Sequence, residues 1–396
     1  MFESITLTTH NKHDSIKPLD IGLLVECMLF YGKTTVIANY HILDQLFRYF
    51  GGDKLLILIK EEFLKIVYTE SWLGVITNTE NNIQYHGVTP FSSPQHQFQN
   101  ELRKICIQIQ GADGKGRRLA RKIQNYIQVK QHDPLILKGA TESFLNQRYI
   151  ESSAQLIINE LLPEIKNSSP FEFKTSQTNK GIEIETNLNF TEINRIYHRR
   201  VDPKHSSISQ AFILSHLLTL EEELYFASSH LSELACSNLS ARLGTNKIDY
   251  LIAKSKKSSQ QLENFKDNVF SEVKSIREAV NTNQIDLDAL ITVLEKSRRF
   301  KKWIIGVPSD ANLFKSYHDE ITRGTFFESL PGKMIKLSLF TGLGTIAENL
   351  LPGGALIGIS LGALDTFLFD KLVAGWKPNQ FINDCKSIVP GKDDLE

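Results

Sequence analysis

Residues 20–88 read DIGLLVECMLFYGKTTVIANYHILDQLFRYFGGDKLLILIKEEFLKIVYTESWLGVITNTENNIQYHGV. The period of the apolar residues changes along this stretch, and the change decides the fold class. Residues 20–30 are a continuous apolar run, either a helix or a buried strand. TTVIAN (34–39) is a short β-type run, and YHILDQLFRYF (40–50) then follows helical spacing. Gly51-Gly52 ends that helix, and Asp53 is placed to cap a second one through KLLILIKEEFL. From there the period is two. LKIVYTES, WLGVITN and NIQYHGV, parted by the turn residues Thr79 to Asn82, predict an antiparallel meander. Helices followed by a meander indicate an α+β unit rather than a regular βαβ alternation.

Downstream, helical patterns cover about 96–110, 116–130 and 142–162, the last ended by Pro163. PFEFKTSQTNKGIEIETNLNF (170–190) alternates on both sides of Asn179-Lys180-Gly181, which predicts a hairpin. The helix TEINRIYHRR then leads to a boundary at Asp202-Pro203. Residues 206–300 are helical in pattern almost throughout. There, Asp286 and Asp288 open a helix with a basic finish, which suits the helix dipole.

The fold expected is a helix-rich α+β: a mixed domain over 1–200, a helical domain over 201–310 and an apolar, glycine-rich helical hairpin module over 311–396. Within that module Gly354, Gly358 and Gly362 recur at every fourth position and share one helix face, where a second backbone can approach closely. The longest charge-free run, Asn349–Leu364, has 16 residues with Pro352 near its start. A bilayer span wants about 20 apolar residues, so two helical arms joined at LPGG are expected instead.

Lysine plus arginine and aspartate plus glutamate both number 45, so no global field selects a nucleic-acid or acidic partner. The four cysteines are far apart without ligand spacing, which suits reduced thiols and no zinc site. MFESITLTTHNKHD has no basic stretch followed by an apolar core, so no signal peptide is expected. A cytoplasmic chain follows, with peripheral attachment to an anionic membrane as the alternative.

GKTT (32–35) invites a phosphate-loop reading. That motif also needs a glycine five positions before Gly32, where Cys27 stands, and Met28 to Tyr31 are too bulky to expose a nest of amides. It reads as the start of a strand. GADGKGRRLARKI (111–123) is a better phosphate or nucleic-acid candidate. Its glycines precede a helix bearing Lys115, Arg117, Arg118, Arg121 and Lys122, which equally describe the solvated face of an amphipathic helix.

Glu172-Phe-Lys174 has the spacing of some metal-dependent nucleases, whose further upstream acid has its nearest candidate in Asp133. Glu183 and Glu185 share a strand face and could hold a divalent metal, or simply be solvated. The histidines form no ligand pattern, and neither a zinc-protease motif nor a nucleophile elbow occurs. No cofactor and no resident metal are expected. Arg298, Arg299, Lys301 and Lys302, with Lys296 before them and Trp303 after, fit an anionic surface or a helix C-terminus.

The runs ECMLFYGKTTVIANYHILDQLFRYFG (26–51) and GALDTFLFDKLVAGWKPNQFI (362–382) resemble the two ends of a group of bacterial conserved hypothetical proteins. The resemblance implies a bacterial cytoplasmic protein whose two ends cooperate as one unit, and it carries no activity. The function expected is therefore a non-enzymatic interaction or assembly protein, with a protein partner or a second copy favoured over nucleic acid. A membrane-acting effector, in cell defence for example, and a metal-dependent nuclease are the alternatives.

Overall fold

A computed structural model describes residues 2–8, 19–92, 97–131, 133–165, 171–201, 206–236, 238–247, 262–270, 276–307, 313, 316, 340–341 and 378–390. The first elements are β1 (Ser4–Thr8), α1 (Ile21–Phe30), β2 (Lys33–Ala38), α2 (Tyr40–Phe50), α3 (Gly52–Lys60) and β3 (Lys65–Thr69). Next come β4 (Ser71–Glu80), β5 (Ile83–Ser92), α4 (Phe98–Gln110), α5 (Asp113–Ile123), β6 (Gln128–Lys130), α6 (Pro134–Leu145) and α7 (Gln147–Leu161). They are followed by β7 (Phe173–Thr178), β8 (Gly181–Thr186), α8 (Phe190–Tyr197), α9 (Gln210–Ser229), β9 (Glu233–Cys236) and α10 (Asn238–Lys247). The remainder are α11 (262–269), α12 (Ile276–Asn281), α13 (Leu287–Gly306), β10 (Phe340–Thr341) and α14 (Pro378–Ser387).

The fold is helix-rich α+β, built on two sheets of opposite character. One is parallel throughout, in the order β10-β9-β1-β2-β3-β6. Its strands alternate cleanly between two buried faces. Ile5, Leu7, Val36, Ala38, Ile66 and Tyr68 join one large core with α1 to α5 and α11 to α14, whereas Ile37 and Val67 meet Phe226 of α9 on the other side. The second sheet is antiparallel, in the order β4-β5-β8-β7. Its inner face supplies Leu73, Phe173, Ile182 and Ile184 to a second core with α6 to α10.

Helix α9 joins the two. It has almost no solvated side, and Glu221, Glu222 and Glu223 are all buried along it. Successive helical residues point about 100° apart, so the three carboxyls reach three different neighbours. Glu221 accepts from the Ser143 hydroxyl of α6 at 2.8 Å, and Glu222 from the Leu73 backbone N–H of β4 at 3.4 Å. Glu223 accepts from the Thr8 hydroxyl of β1 at 3.1 Å. Burial pushes the Glu223 carboxyl up to about 7, against the lowering effect of hydrogen bonds from Ser240 and Thr8.

Local chemistry explains the helix boundaries. Asp20 caps α1 and also holds Arg277 and Asn281, so the cap doubles as a clasp to α12. There Gly22 has to be glycine. A Cβ at that position would stand 2.2 Å from the Arg277 carbonyl oxygen. Asn39 caps α2, and Asp286 caps α13 as expected.

Several expectations are corrected. Residues 65–69 are not the first strand of a meander; they lie between β2 and β6 in the parallel sheet, and that sheet is reached by βαβ crossovers. The chain leaves one sheet for the other at Glu70-Ser71, with no glycine or proline to mark the change. Gly51, not Asp53, is the N-cap of α3. The helix expected over 116–130 stops at Ile123, and 128–130 form β6. Asn146 divides the region around 142–162 into α6 and α7. Within the supposedly helical middle, Glu233–Cys236 form a strand beside β1. Its buried Glu233 accepts from the Phe2 N–H at 3.1 Å and the Tyr31 hydroxyl at 2.8 Å, partners more than 200 residues away.

The cores also cross the boundaries expected at 200 and 310: the larger draws on 2–127, 235 and 262–389, and the smaller on 73 and 136–243. Phe340 and Thr341, expected in the first arm of the glycine-rich hairpin, pair with β9 as a strand. The rest of 336–373 lies outside the described residues.

Candidate interaction surface

An antiparallel sheet with one buried face turns every second side chain outward. On β4 and β5 the outward pairs are Trp72 with Phe91, Gly74 with Thr89, Ile76 with Gly87, Asn78 with Tyr85 and Glu80 with Ile83. On β8 and β7 the same face carries Glu183 and Glu185 opposite Ser176 and Lys174. One half of the surface is aromatic and aliphatic; the other is charged.

The apolar half is solvent-exposed: Trp72 by 45%, Ile76 by 38%, Ile83 by 40% and Phe91 by 36%. The Trp72 and Phe91 rings stack with centroids 6.0 Å apart and planes 17° from parallel. Phe91 reaches over Gly74, where a Cβ would come within 2.6 Å of its ring. Glycine at 74 thus makes the ring's place. A single exposed apolar residue needs no explanation, but a contiguous group of them marks an interaction site.

The charged half is net acidic. Glu172 pairs with Lys174 at 3.7 Å, and Lys180 pairs with Glu80 at 2.7 Å while standing 5.5 Å over the Tyr85 ring. Four carboxylates (Glu80, Glu172, Glu183, Glu185) thus face two ammonium groups (Lys174, Lys180). All four residues singled out for a nuclease lie on or beside this face. The acid that such a site would borrow, Asp133, is elsewhere: it accepts from the Leu135 N–H and the Tyr225 hydroxyl, each at 2.9 Å. Among the described residues no group of three or more His, Cys, Asp or Glu is disposed to hold a metal.

The other candidates fall in different places. Lys115, Arg117, Arg118, Arg121 and Lys122 are exposed on α5, whose opposite side, Gly116, Leu119, Ala120 and Ile123, is buried. Two of the glycines have structural roles, one in the turn before α5 and one within it. Gly111 takes a left-handed turn (φ 62°) at the end of α4, and Gly116 lets α5 close on Ile107, whose Cα would lie 2.4 Å from an added Cβ. Asp113 occupies the first turn of α5 and binds Arg117 at 2.6 Å, which puts a carboxylate where a phosphate would sit.

The cluster on α13 is divided. Lys296 pairs with Asp384 at 2.8 Å and Arg298 with Glu61 at 2.7 Å. Lys301 is buried with its ammonium 5.4 Å from the Phe63 ring centre, and burial pushes its pKa down to about 7. Trp303 packs on Phe300, leaving Arg299 and Lys302 exposed. The dipole explanation also fails, because α13 continues to Gly306 and has no basic residue in its last turn. Gly354, Gly358 and Gly362 lie outside the described residues. Among those described, no helix is long and apolar enough to cross a membrane.

Trp72, Ile76 and Phe91 were not among the residues the sequence singled out. The signal was present: WLGVI is apolar at both parities of the strand, so it cannot have one purely solvated face. No family model matches the chain, and neither the curated proteins nor the solved structures hold a match to it.

Proposed function

We propose that this chain is a non-enzymatic interaction protein that docks another protein on the outward face of its antiparallel sheet. The observation that carries the reading is the exposed Trp72–Phe91 stack seated over Gly74, beside Ile76. Tryptophan and tyrosine are enriched where interfaces concentrate binding energy, because each buries a large rigid area at little entropic cost. Farther along the same face, toward the β4–β5 turn, four carboxylates against two lysines make a net acidic end, which sets the partner's chemistry as an apolar patch with basic groups on one flank. The carboxylates also argue against nucleic acid, whose phosphates such a face repels.

Gly87 offers a place for a probe, since a side chain there meets only Ile76, at 3.6 Å. A photo-cross-linking residue at Gly87 should trap one protein, and Trp72→Ala with Phe91→Ala should abolish that product. With the trapped protein purified, the same double substitution should weaken binding at least tenfold, and added salt should weaken binding to the wild type. Equal affinity for wild type and double variant would overturn the reading, as would preferential binding of single-stranded DNA or RNA.

A further inference from the structure

Strand β4 is an edge of the antiparallel sheet, and its last five residues, Ile76–Glu80, are all exposed. Natural sheet edges are usually blunted by lysine, proline, a bulge or short length, because an open edge is a template for another strand. β4 has none of these. It runs ten residues, SWLGVITNTE, pairs with β5 in unbroken register, and carries no Lys, Arg or Pro and no charge before Glu80. The opposite edge, β7, has six residues and carries Lys174.

The direction of the free edge can be read from one bond. The Leu73 N–H turns away from β5 to donate to Glu222. Alternation along the strand then turns the N–H groups of Val75, Thr77 and Thr79 outward as well. Among the described residues, α9 meets the edge at Leu73 and no strand pairs with 75–79 on that side.

We infer that β4 is a homodimer edge: two copies pair antiparallel about Thr77 and fuse their four-stranded sheets into one of eight. In this register Val75 and Thr79 exchange backbone hydrogen bonds across the axis, as do the two Thr77 residues. Ile76 lies beside Asn78 of the second copy. Glu80 falls opposite Gly74, so no like charges meet and the edge is complementary to its own copy. The two-fold axis stands perpendicular to the sheet, so both aromatic faces emerge on the same side and the docking surface doubles. The inference rests on the edge, independently of what the outward face binds.

Sedimentation equilibrium on the full chain tests it. The wild type should be a dimer. Thr77→Pro, which deletes an outward N–H at an edge where proline is tolerated, and Ile76→Lys, which adds a charge on an exposed position, should each raise the dissociation constant at least tenfold with an unchanged circular dichroism spectrum. A chain carrying Ile76→Cys with Asn78→Cys should oxidise to a cross-linked dimer, because outward neighbours of a non-hydrogen-bonded pair approach closely enough for a disulfide. A wild type still monomeric at about 100 μM overturns the inference. So does a dimer that survives Ile76→Lys and Thr77→Pro, and a dimer lost only in Trp72→Ala with Phe91→Ala would mean stacked faces instead. Loss of partner docking in that aromatic variant, with the dimer intact, is a separate result bearing on the proposed function alone.

Discussion

The two sheets of this protein share a chain and a connecting helix, yet they treat apolar residues in opposite ways. In the parallel sheet Val36, Ile37, Ile66, Val67 and Tyr68 are all buried, because helices cover both faces. In the antiparallel sheet Leu73 is buried, whereas its neighbour Trp72 is exposed. The parallel sheet buries its apolar side chains on both faces; the antiparallel one buries those on its inner face and leaves Trp72, Ile76 and Phe91 exposed on the other. An apolar strand therefore says little about role until the number of covered faces is known.

The sharpest way to break that comparison is to truncate one aromatic residue on each sheet. Phe226 is wedged between α9 and the parallel sheet at Ile37 and Val67, so Phe226→Ala should cost about 3–5 kcal/mol in urea unfolding. A loss below about 1 kcal/mol would mean that the α9 face of the parallel sheet is loosely packed.

Next in size is the buried carboxyl that connects α9 to β1. Because its folded pKa lies above the unfolded value of 4.5, Glu223 contributes stability that is fully present below pH 4.5 and is lost as pH rises through about 7. That interval corresponds to about 3 kcal/mol, and Glu223→Gln should remove the dependence. His230, held by burial down to about 4 with Lys65 and Lys130 nearby, titrates with the opposite sign over part of this window. It is common to both proteins, so the difference between their stability–pH curves isolates Glu223. Parallel curves would show that the carboxyl titrates normally.

The smallest expected effect sharpens the contrast most. Trp72→Ala removes a larger side chain than Phe226→Ala, yet it should change unfolding stability by under about 1 kcal/mol, because the ring is already half in water and loses chiefly its contact with Phe91. A loss as large as that of Phe226→Ala would make Trp72 a core residue and remove the reason to assign it a partner.

Legibility differed between the sheets for the same reason. The β7–β8 strands alternate because one face is wet, and the hairpin around Asn179-Lys180-Gly181 stands where its turn residues put it. β3 carries three consecutive buried residues, Ile66, Val67 and Tyr68, which suits a strand covered on both faces, yet nothing in residues 64–71 says that its neighbours are β2 and β6. β9 has four residues and depends on Phe2 and Tyr31 to satisfy its glutamate. Within the candidate surface, Glu172, Lys174, Glu183 and Glu185 were visible as a shared strand face, because that follows from a period of two. Their company with Trp72, Phe91 and Ile76 was not visible, because it needs the pairing of β5 with β8 across about one hundred residues.

By itself, then, the sequence determined what depends on near neighbours: the helix-rich α+β class, the acidic start of α13 at Asp286, the hairpin, and the strand entered after Gly32. Tertiary structure alone decided which strands belong to which sheet, which cations on α13 are paired within the chain, and that Trp72, Ile76 and Phe91 share one exposed face of the antiparallel sheet. Local periodicity reports how many sides of an element are wet. The partner on each side is a long-range choice, made by packing that no short window of sequence contains.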